Sequence, residues 1–308
     1  MHLAKPLKEV IRPTTIIDAP RLSKRLGVNL TIASETFQFT GSFKLRAAHN
    51  LVAKVSEQKS IAASSGNFGQ AIAYACRLLG KSCTIVMPAT SAQVKIDAVR
   101  EFGGTVDLID VREISRAARV AALAGENPDA YVASAYDDPL VIEGNASLGA
   151  ELAARSGNFD YVVAPVGGGG LTSGLIKGLR AAGSSTPVVG AEPLMANDAA
   201  RSLRAGHIVA NDAEAQTIAD GARTVSVGQH NWAILEDGLA HIVEVPEENI
   251  RDAMRLLFSL ANLKAEPTGA LSIGALITEP ERFRDKRVCC VISGGNVDGA
   301  VYRQILAE

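Results

Sequence analysis

The sequence has few aromatic residues and no excess of charge of either sign. Aromatic residues make up 5% of its 308 residues, and the formal net charge is -2 at pH 7. Proteins that bind nucleic acids or anionic membranes concentrate Lys and Arg on one surface, and an isoelectric point of about 6.2 gives no sign of such an excess. We therefore expect a small molecule as the partner, and neither nucleic acid nor a membrane.

Cysteine is also scarce, and long hydrophobic runs are missing. The four cysteines fall within apolar helix or strand patterns without the spacing of metal ligands, which predicts reduced, buried thiols and no zinc site. Residues 1–15 carry Lys5, Lys8 and Arg12 without a continuous apolar stretch, so we predict neither a secretory signal nor a membrane span. We expect the protein to be cytoplasmic.

What the sequence does contain is a regular alternation of short apolar runs and amphipathic helical patterns. This alternation is typical of α/β proteins, in which parallel sheets are covered by helices on both faces. The chain length suggests two lobes, and no flexible linker separates them, so the chain must cross between the lobes more than once. The apolar runs cover residues 61–63, 83–87, 105–109, 131–133, 161–166, 188–191, 241–245 and 288–292, and the helical patterns cover 69–79, 92–102, 114–124, 147–155, 171–181 and 248–263.

Four successive glycines, Gly167, Gly168, Gly169 and Gly170, follow the strongest predicted strand and precede the helix that begins near Leu171. Bare N–H groups at a helix N-terminus favour an anion, so the run predicts a phosphate site. The Gly-Lys-Ser/Thr ending of a nucleotide P-loop is missing, and no acidic residue is placed to bind a ribose. A flexible structural turn is the alternative, although four glycines cost backbone entropy that a turn does not require.

A second unusual stretch, residues 40–48, places Lys44 beside Phe43 after a turn of small residues. A lysine in an apolar pocket loses its proton readily and becomes a nucleophile for carbonyl groups. The stretch by itself also fits a solvated surface lysine near the start of a helix. Only the rest of the chain distinguishes these two interpretations.

Two further loops follow predicted strands, where open α/β sheets bind their ligands. The first presents hydroxyl groups, an amide and several backbone N–H groups, and we predict that it holds a carboxylate; an N-cap followed by turn glycines is the alternative. The second follows the last strand, and its Ser293 can hydrogen-bond a heterocyclic nitrogen. The first loop consists of Ser64, Ser65, Gly66, Asn67, Phe68, Gly69 and Gln70, and the second spans residues 293–298.

In their order along the chain, the four segments resemble those of the fold-type II pyridoxal phosphate enzymes, specifically the serine/threonine dehydratase and serine racemase family. The resemblance covers nearly the whole chain. It implies that Lys44 holds pyridoxal 5'-phosphate (PLP) as a Schiff base, that the glycine run cradles its phosphate, and that Ser293 faces the pyridine nitrogen. It also implies a large cofactor-binding domain of residues 1–58 and 137–308, with a small domain of residues 59–136 inserted in it.

The resemblance assigns roles to individual residues. Lys44 would remove the Cα proton. Ser65 would lie on the face of the substrate opposite Lys44, where it can return a proton to Cα. Arg116 would pair with a second substrate carboxylate, although the residues alone equally favour a surface arginine. The implied cofactor contacts are Phe43, Lys44, Asn67, Gly167, Gly168, Gly169, Gly170, Leu171, Gly221, Glu266, Ser293 and Gly294, and the implied substrate contacts are Ser64, Ser65, Gly66, Asn67, Phe68 and Arg116.

A loop after the strand near residue 190 resembles the family's cation site. There, Glu192, the main-chain carbonyl of Ala196 and Asp198 would bind Mg²⁺ or Ca²⁺, since both ions prefer hard oxygen ligands. The role implied for the ion is structural. Without the resemblance, an acidic loop of this kind is simply solvated.

The resemblance implies β-elimination from a β-hydroxy amino acid such as L-serine or L-threonine, which yields a 2-keto acid and ammonia. Three alternatives stay open: an amino-acid racemase of the serine or aspartate type with side eliminase activity, a 3-hydroxyaspartate dehydratase, and a non-catalytic PLP-binding protein. Phe68 replaces the family's usual histidine and Tyr136 an asparagine found in some relatives, so the sequence leaves the substrate open. A homodimer is expected from the resemblance alone.

Overall fold

Ten strands in two sheets form the framework of the described part of the chain. The computed structural model describes residues 7–64, 66–91, 93–155 and 159–308; Ser65, which we predicted to be catalytic, lies outside them. The strands are β1 (Thr15–Asp18), β2 (Asn29–Ser34), β3 (Lys59–Ala63), β4 (Ser82–Pro88), β5 (Thr105–Ile109), β6 (Ala130–Val132), β7 (Tyr161–Pro165), β8 (Val188–Pro193), β9 (Leu239–Val245) and β10 (Arg287–Ile292).

Helices connect and cover these strands. The α-helices are α1 (Leu7–Val10), α2 (Pro20–Leu26), α3 (Lys44–Lys54), α4 (Asn67–Leu78), α5 (Gln93–Glu101), α6 (Arg116–Glu126), α7 (Pro139–Ala154), α8 (Gly170–Ala181), α9 (Asp198–Ala205), α10 (Gln229–Gly238), α11 (Glu247–Ala261), α12 (Pro267–Thr278), α13 (Pro280–Phe283) and α14 (Gly299–Ala307), and two short 3-10 helices span Leu194–Ala196 and Asp220–Ala222. None of the helices in the described ranges combines the length and apolar composition that a bilayer crossing requires.

The larger sheet has six strands in the order β1-β2-β10-β7-β8-β9. Every neighbouring pair is parallel except β1 and β2. Its central strand β10 is buried from Val288 to Ile292, as expected for a strand that helices cover on both faces. The carboxyl ends of β7, β8 and β10 therefore point in one direction and bring their following loops to one edge.

The smaller sheet has four parallel strands in the order β5-β4-β3-β6. All eight strands predicted from apolar runs are present, and the predicted α/β class with parallel-rich sheets is confirmed. The four cysteines are buried and unpaired with one another, as predicted. The four strands of the smaller sheet all come from residues 59–132, whereas the division of the chain into two domains stays a prediction.

Close packing of α7 against two other helices positions the site. A Cβ atom added to Gly178 on α8 would lie 2.0 Å from the carbonyl oxygen of Ala146 on α7, and one added to Gly144 would lie 2.4 Å from the carbonyl oxygen of Arg46 on α3. Because glycine has no side chain, the helix backbones can approach this closely. The contacts fix α3, which begins at Lys44, relative to α8, which carries the glycine run.

Arg46 anchors α3 from the other side through buried ion pairs. Its guanidinium group donates to Glu35 and to Glu151, each at 2.7 Å, and to the Thr14 hydroxyl at 2.8 Å. The pairing with Glu35 and Glu151 opposes the desolvation of the guanidinium and raises the pKa of Arg46. Removing one partner of such a buried pair leaves an uncompensated charge, so these contacts fix the place of the helix.

Candidate active site

Lys44 is the first residue of α3, and its amine is held between a carbonyl group and two aromatic rings. The Nζ atom donates to the carbonyl oxygen of Ala135 at 2.6 Å and lies 5.0 Å from the ring centroid of Phe43 and 5.6 Å from that of Phe68. Desolvation lowers the pKa of the Lys44 amine to about 8, while the charge of Glu266 acts to raise it. A lysine of this kind has far more neutral amine near physiological pH than an exposed lysine, and the neutral amine can attack an aldehyde. The contact with Ala135 comes from the main chain, so no side-chain pattern predicted it.

The glycine run forms the turn between β7 and α8. Gly169 has a φ of 95°, in the left-handed region that favours glycine, and a Cβ atom on Gly168 would lie 2.2 Å from the ring of Tyr136. The N–H groups of Gly167, Gly168 and Gly169 donate no hydrogen bond to another described residue. Unpaired N–H groups at the start of a twelve-residue helix fit a phosphate group. The adjacent Leu171 is buried in the first turn of that helix.

Asn231 on α10, which the sequence analysis missed, fixes this turn from behind. Its side-chain amide donates to the carbonyl oxygens of Gly168 at 2.8 Å and Tyr136 at 3.1 Å, and its oxygen accepts from Ser173 at 2.7 Å. The Gly168 carbonyl also accepts from the N–H of Gly228. Because the carbonyl faces these donors, the N–H groups of the run stay available. Nothing in the local pattern of α10 signals this role.

Ser293 follows β10 and is joined to the Lys44 stretch. Its carbonyl oxygen accepts from the N–H of Phe43 at 2.9 Å, and Ser42 and Gly294 form an isolated antiparallel bridge. The Ser293 side chain is buried. A buried serine joined to the Lys44 stretch is compatible with the contact to a pyridine nitrogen, which stays a prediction for this residue.

Glu266, Gly294 and Asn67 meet next to Ser293. Glu266 is buried, and its Oε1 atom accepts from the Asn67 amide at 2.7 Å. A Cβ atom on Gly294 would lie 2.6 Å from the same oxygen. Burial, aided by the charge of Asp220, raises the pKa of Glu266 to about 7. Gly221, in the turn after Asp220, donates its N–H to Thr268 at the start of α12.

The loop between β3 and α4 was interpreted from the sequence as a carboxylate-binding loop or as an N-cap followed by turn glycines. The Ser64 hydroxyl accepts from the N–H groups of Gly66 at 3.3 Å and Gly69 at 3.0 Å, which is a helix-start contact. Phe68 is buried in the apolar cluster of the smaller sheet and faces the Lys44 amine. The Ser64 hydroxyl is thus bound at the start of α4, whose N-cap residue is Gly66, and the substrate contacts of this loop stay a prediction.

Arg116 lies at the start of α6 and is paired with Glu214 at 2.9 Å. Both side chains are exposed. A substrate carboxylate would have to replace Glu214, so the predicted substrate role of Arg116 stays a prediction. A second pair, which the sequence analysis missed, joins Lys95 on α5 to Asp220 at 2.8 Å. The charge of Lys95 also acts to lower the pKa of the buried Glu266.

The predicted cation ligands lie at the carboxyl end of β8. Glu192 is buried and accepts from the N–H groups of Ala199 and Ala200, each at 2.9 Å. Asp198 is also buried; its Oδ1 atom accepts from Asn211 at 3.0 Å, and its Oδ2 atom has no partner among the described residues. Burial and the charge of Asp198 raise the pKa of Glu192, and burial raises the pKa of Asp198 to about 7.

This donor set fits a hard cation but lacks the ligands of a transition metal. Among the described residues, no three acidic, histidine or cysteine side chains converge on a metal position. A cation would therefore depend on the two carboxylates, water and a main-chain carbonyl such as that of Ala196, which is buried in the first 3-10 helix. An unpaired buried carboxylate oxygen is costly, which is the observation that favours a cation here.

A desolvated lysine amine, a glycine turn whose N–H groups have no partner among the described residues, and a buried serine after the last strand are the features expected of a PLP-dependent enzyme of fold type II. The chain belongs to the family described as pyridoxal-phosphate dependent enzyme, which matches residues 7–294. It is 36% identical to the β-hydroxyaspartate dehydratase of Paracoccus denitrificans over 95% of this chain and 93% of that protein. It is 32% identical to the serine racemase of Schizosaccharomyces pombe over 98% of this chain and 94% of that protein.

A solved structure shows the same fold. The processed form of threonine deaminase isoform 2 from Solanum lycopersicum superimposes with a TM-score of 0.91 at 31% identity, over 99% of this chain and 90% of that chain. The family and its cofactor are thereby confirmed. The relatives carry out either elimination or racemisation by name, so they do not decide between these reactions.

Proposed function

We propose that the protein is a PLP-dependent ammonia-lyase that converts a β-hydroxy amino acid to a 2-keto acid and ammonia. The observation that carries the proposal is the desolvation of the Lys44 amine to a pKa of about 8, together with the unpaired N–H groups of the glycine turn and the buried Ser293 that is joined to the Lys44 stretch. The dehydratase among the relatives favours elimination. Its name makes 3-hydroxyaspartate the first substrate to test, together with L-serine and L-threonine.

The residues present fit the cofactor, and each has a defined task. The N–H groups of the glycine run would hold the phosphate, Ser293 the pyridine nitrogen and Asn67 the ring oxygen. Lys44 would bind the aldehyde carbon through its amine. When bound, PLP supplies an electron sink for the charge that develops at Cα.

Lys44 then acts as the base. The Lys44 amine would accept the Cα proton of the bound substrate, and the Ala135 carbonyl would accept a hydrogen bond from the resulting ammonium group. The β-hydroxyl would take up one proton, which balances the one removed from Cα, and leave as water. One water molecule would be consumed when the enamine product hydrolyses to the keto acid and ammonia. The loop that contains Ser64 and Phe68 would hold the substrate carboxylate.

Further predictions complete this proposal. Glu192, Asp198 and the carbonyl of Ala196 would hold Mg²⁺ or Ca²⁺ and order the loop that follows β8. Arg116 would receive the second carboxylate of a dicarboxylic substrate in exchange for Glu214. The inserted domain of residues 59–136, the homodimer and the cytoplasmic location also stay predictions.

Product analysis tests the proposal. Purified holoenzyme is incubated with L-serine, L-threonine or threo-3-hydroxyaspartate, and 2-keto acid and both enantiomers of each substrate are quantified. We expect keto acid and ammonia in equal amounts, and no product from Lys44→Ala. Formation of the opposite enantiomer with little keto acid would establish the racemase instead, and PLP binding without turnover of any substrate would establish a non-catalytic PLP-binding protein.

A further inference from the structure

Asn296, in the loop after β10, connects the Lys44 stretch to the loop that follows β3. Its Nδ2 atom donates to the carbonyl oxygen of Thr40 at 2.8 Å and to the Oδ1 atom of Asn67 at 2.8 Å. Its Oδ1 atom lies against Gly41, where an added Cβ atom would come within 2.2 Å. The Asn296 side chain thus contacts two residues of the turn that leads to Lys44.

The Thr40 carbonyl determines which way this amide points. A main-chain carbonyl can only accept, so the nitrogen of Asn296 must face it. The same nitrogen then meets Asn67, which must present its oxygen. The Asn67 nitrogen is thereby turned to Glu266, whose Oε1 atom accepts at 2.7 Å. Side-chain amides are assigned by such networks, and here each step follows from the one before.

We propose that Asn296 is a positioning residue that makes the Asn67 amide present N–H, rather than oxygen, to the bound cofactor. The inference rests on the proposed function, in which Asn67 faces the ring oxygen of PLP. An amide nitrogen has two N–H groups, and Glu266 takes only one of them. The second is available to an acceptor, so the site selects the form of the cofactor whose ring oxygen is deprotonated.

The substitution Asn296→Asp tests this orientation. An aspartate at neutral pH cannot donate to the Thr40 carbonyl, and it would accept the Asn67 nitrogen, which reverses that amide. We expect the holoenzyme to lose the long-wavelength absorption band of the deprotonated ring oxygen in favour of the short-wavelength band. We also expect PLP affinity to fall about tenfold, as for the loss of one hydrogen bond to a charged group. Asn296→Ala, which removes the donor without imposing reversal, should show a smaller spectral change.

Two controls separate orientation from a general structural defect. Asn249→Asp makes the same chemical change on α11, where the amide donates to Thr278 at 3.0 Å. Thr278 ends α12, whereas Glu266 lies at the start of that helix. This variant should therefore have the spectrum and the PLP affinity of the parent. In an Asn67→Ala background, Asn296→Asp should add no further spectral change, because the amide that it reorients is gone. Thermal unfolding of each apo-protein verifies that the variants are folded.

The outcomes are distinguishable. A parent protein that takes up no PLP overturns the proposed function and this inference with it. A parent that binds PLP, together with an Asn296→Asp variant of unchanged spectrum and affinity, overturns this inference alone. If Asn296→Asp changes the spectrum equally in the parent and in the Asn67→Ala background, Asn296 does not act through the Asn67 amide. That result would also overturn this inference.

Discussion

Two opposing influences set the protonation state of the Lys44 amine. Removal from water disfavours the ammonium form and lowers the pKa to about 8, whereas the nearby Glu266 carboxylate favours that form. Glu266 is itself pushed to a pKa of about 7 by burial. The balance leaves part of the Lys44 amine neutral near neutral pH, as the predicted role of a base requires.

Glu266→Gln should therefore move the acidic limb of the kcat–pH profile to lower pH. The substitution removes the charge that raises the Lys44 pKa, so the amine stays neutral down to lower pH and remains a competent base there. The matched control is Glu279→Gln at the other end of α12, where the carboxylate pairs with His241 and Arg282, and this variant should keep the parent profile. An acidic limb that stays in place or moves upward would contradict the assignment of Lys44 as the base.

His49, one turn further along α3, is a buried histidine without a described partner for either ring nitrogen. Desolvation lowers its pKa in the folded protein below the unfolded value of about 6.5. The unfolded chain then binds more protons at acidic pH, so stability must decline as the pH falls below about 6.5.

His49→Leu should remove this part of the acid sensitivity. Urea unfolding measured at several values of pH between about 7 and 5 should give a flatter dependence of the unfolding free energy than in the parent. His207→Leu changes an exposed histidine in the same way and should leave the dependence unchanged. Equal slopes for His49→Leu and the parent would mean that this ring does not remain neutral in the folded state.

At the level of elements, the close approach of α7 and α8 positions the glycine turn, which we predict to bind the phosphate. Gly178→Ala would force a Cβ atom to 2.0 Å from the Ala146 carbonyl, so the two helix backbones must separate. We expect a loss of about 1–3 kcal/mol of unfolding free energy, typical of overpacking, and weaker PLP binding because the glycine run begins the same helix.

The control for this variant is another helical glycine. Gly125, on α6, has no atom near its missing Cβ, so Gly125→Ala should be neutral or slightly stabilising. Chemical denaturation and PLP titration of both variants provide the comparison. Equal stability of the two variants would show that the helices tolerate separation and that their approach does not position the turn.

The loop between β8 and α9 carries the prediction about the cation. Saturating Mg²⁺ or Ca²⁺ should raise the melting temperature of the parent, with a stabilisation of about 2.7 kcal/mol at one hundred times the dissociation constant. Asp198→Asn should abolish the response, since it replaces the carboxylate that has an unpartnered oxygen. Asp237→Asn, an exposed substitution on α10, should retain it. Identical melting with cation and with chelator in the parent would exclude the site.

On the scale of the whole molecule, ion pairs connect helices around the smaller sheet to the segment between α9 and α10. Lys95 on α5 pairs with Asp220, and Arg116 on α6 pairs with Glu214. The two residues of each pair are far apart in the sequence. These contacts form only when both sheets are assembled.

Strands that helices bury on both faces could be predicted because they appear in the sequence as continuous apolar runs. β2 was missed, since Asn29 and Thr31 interrupt its apolar residues and its pairing with β10 involves residues more than 250 positions away. α12 was missed for a different reason. It is buried on nearly all sides, so it has no polar face and no helical periodicity.

The sequence by itself determined the α/β class, the glycine run and the choice of Lys44 and Ser293, because these depend on residue type and local order. Only the tertiary structure decided the desolvation of Lys44, the unpartnered oxygen of Asp198 and the contact of Asn67 with Asn296, which is 229 positions away. Burial and amide orientation depend on atoms contributed by several distant segments at once, and no local pattern in a sequence records that arrangement.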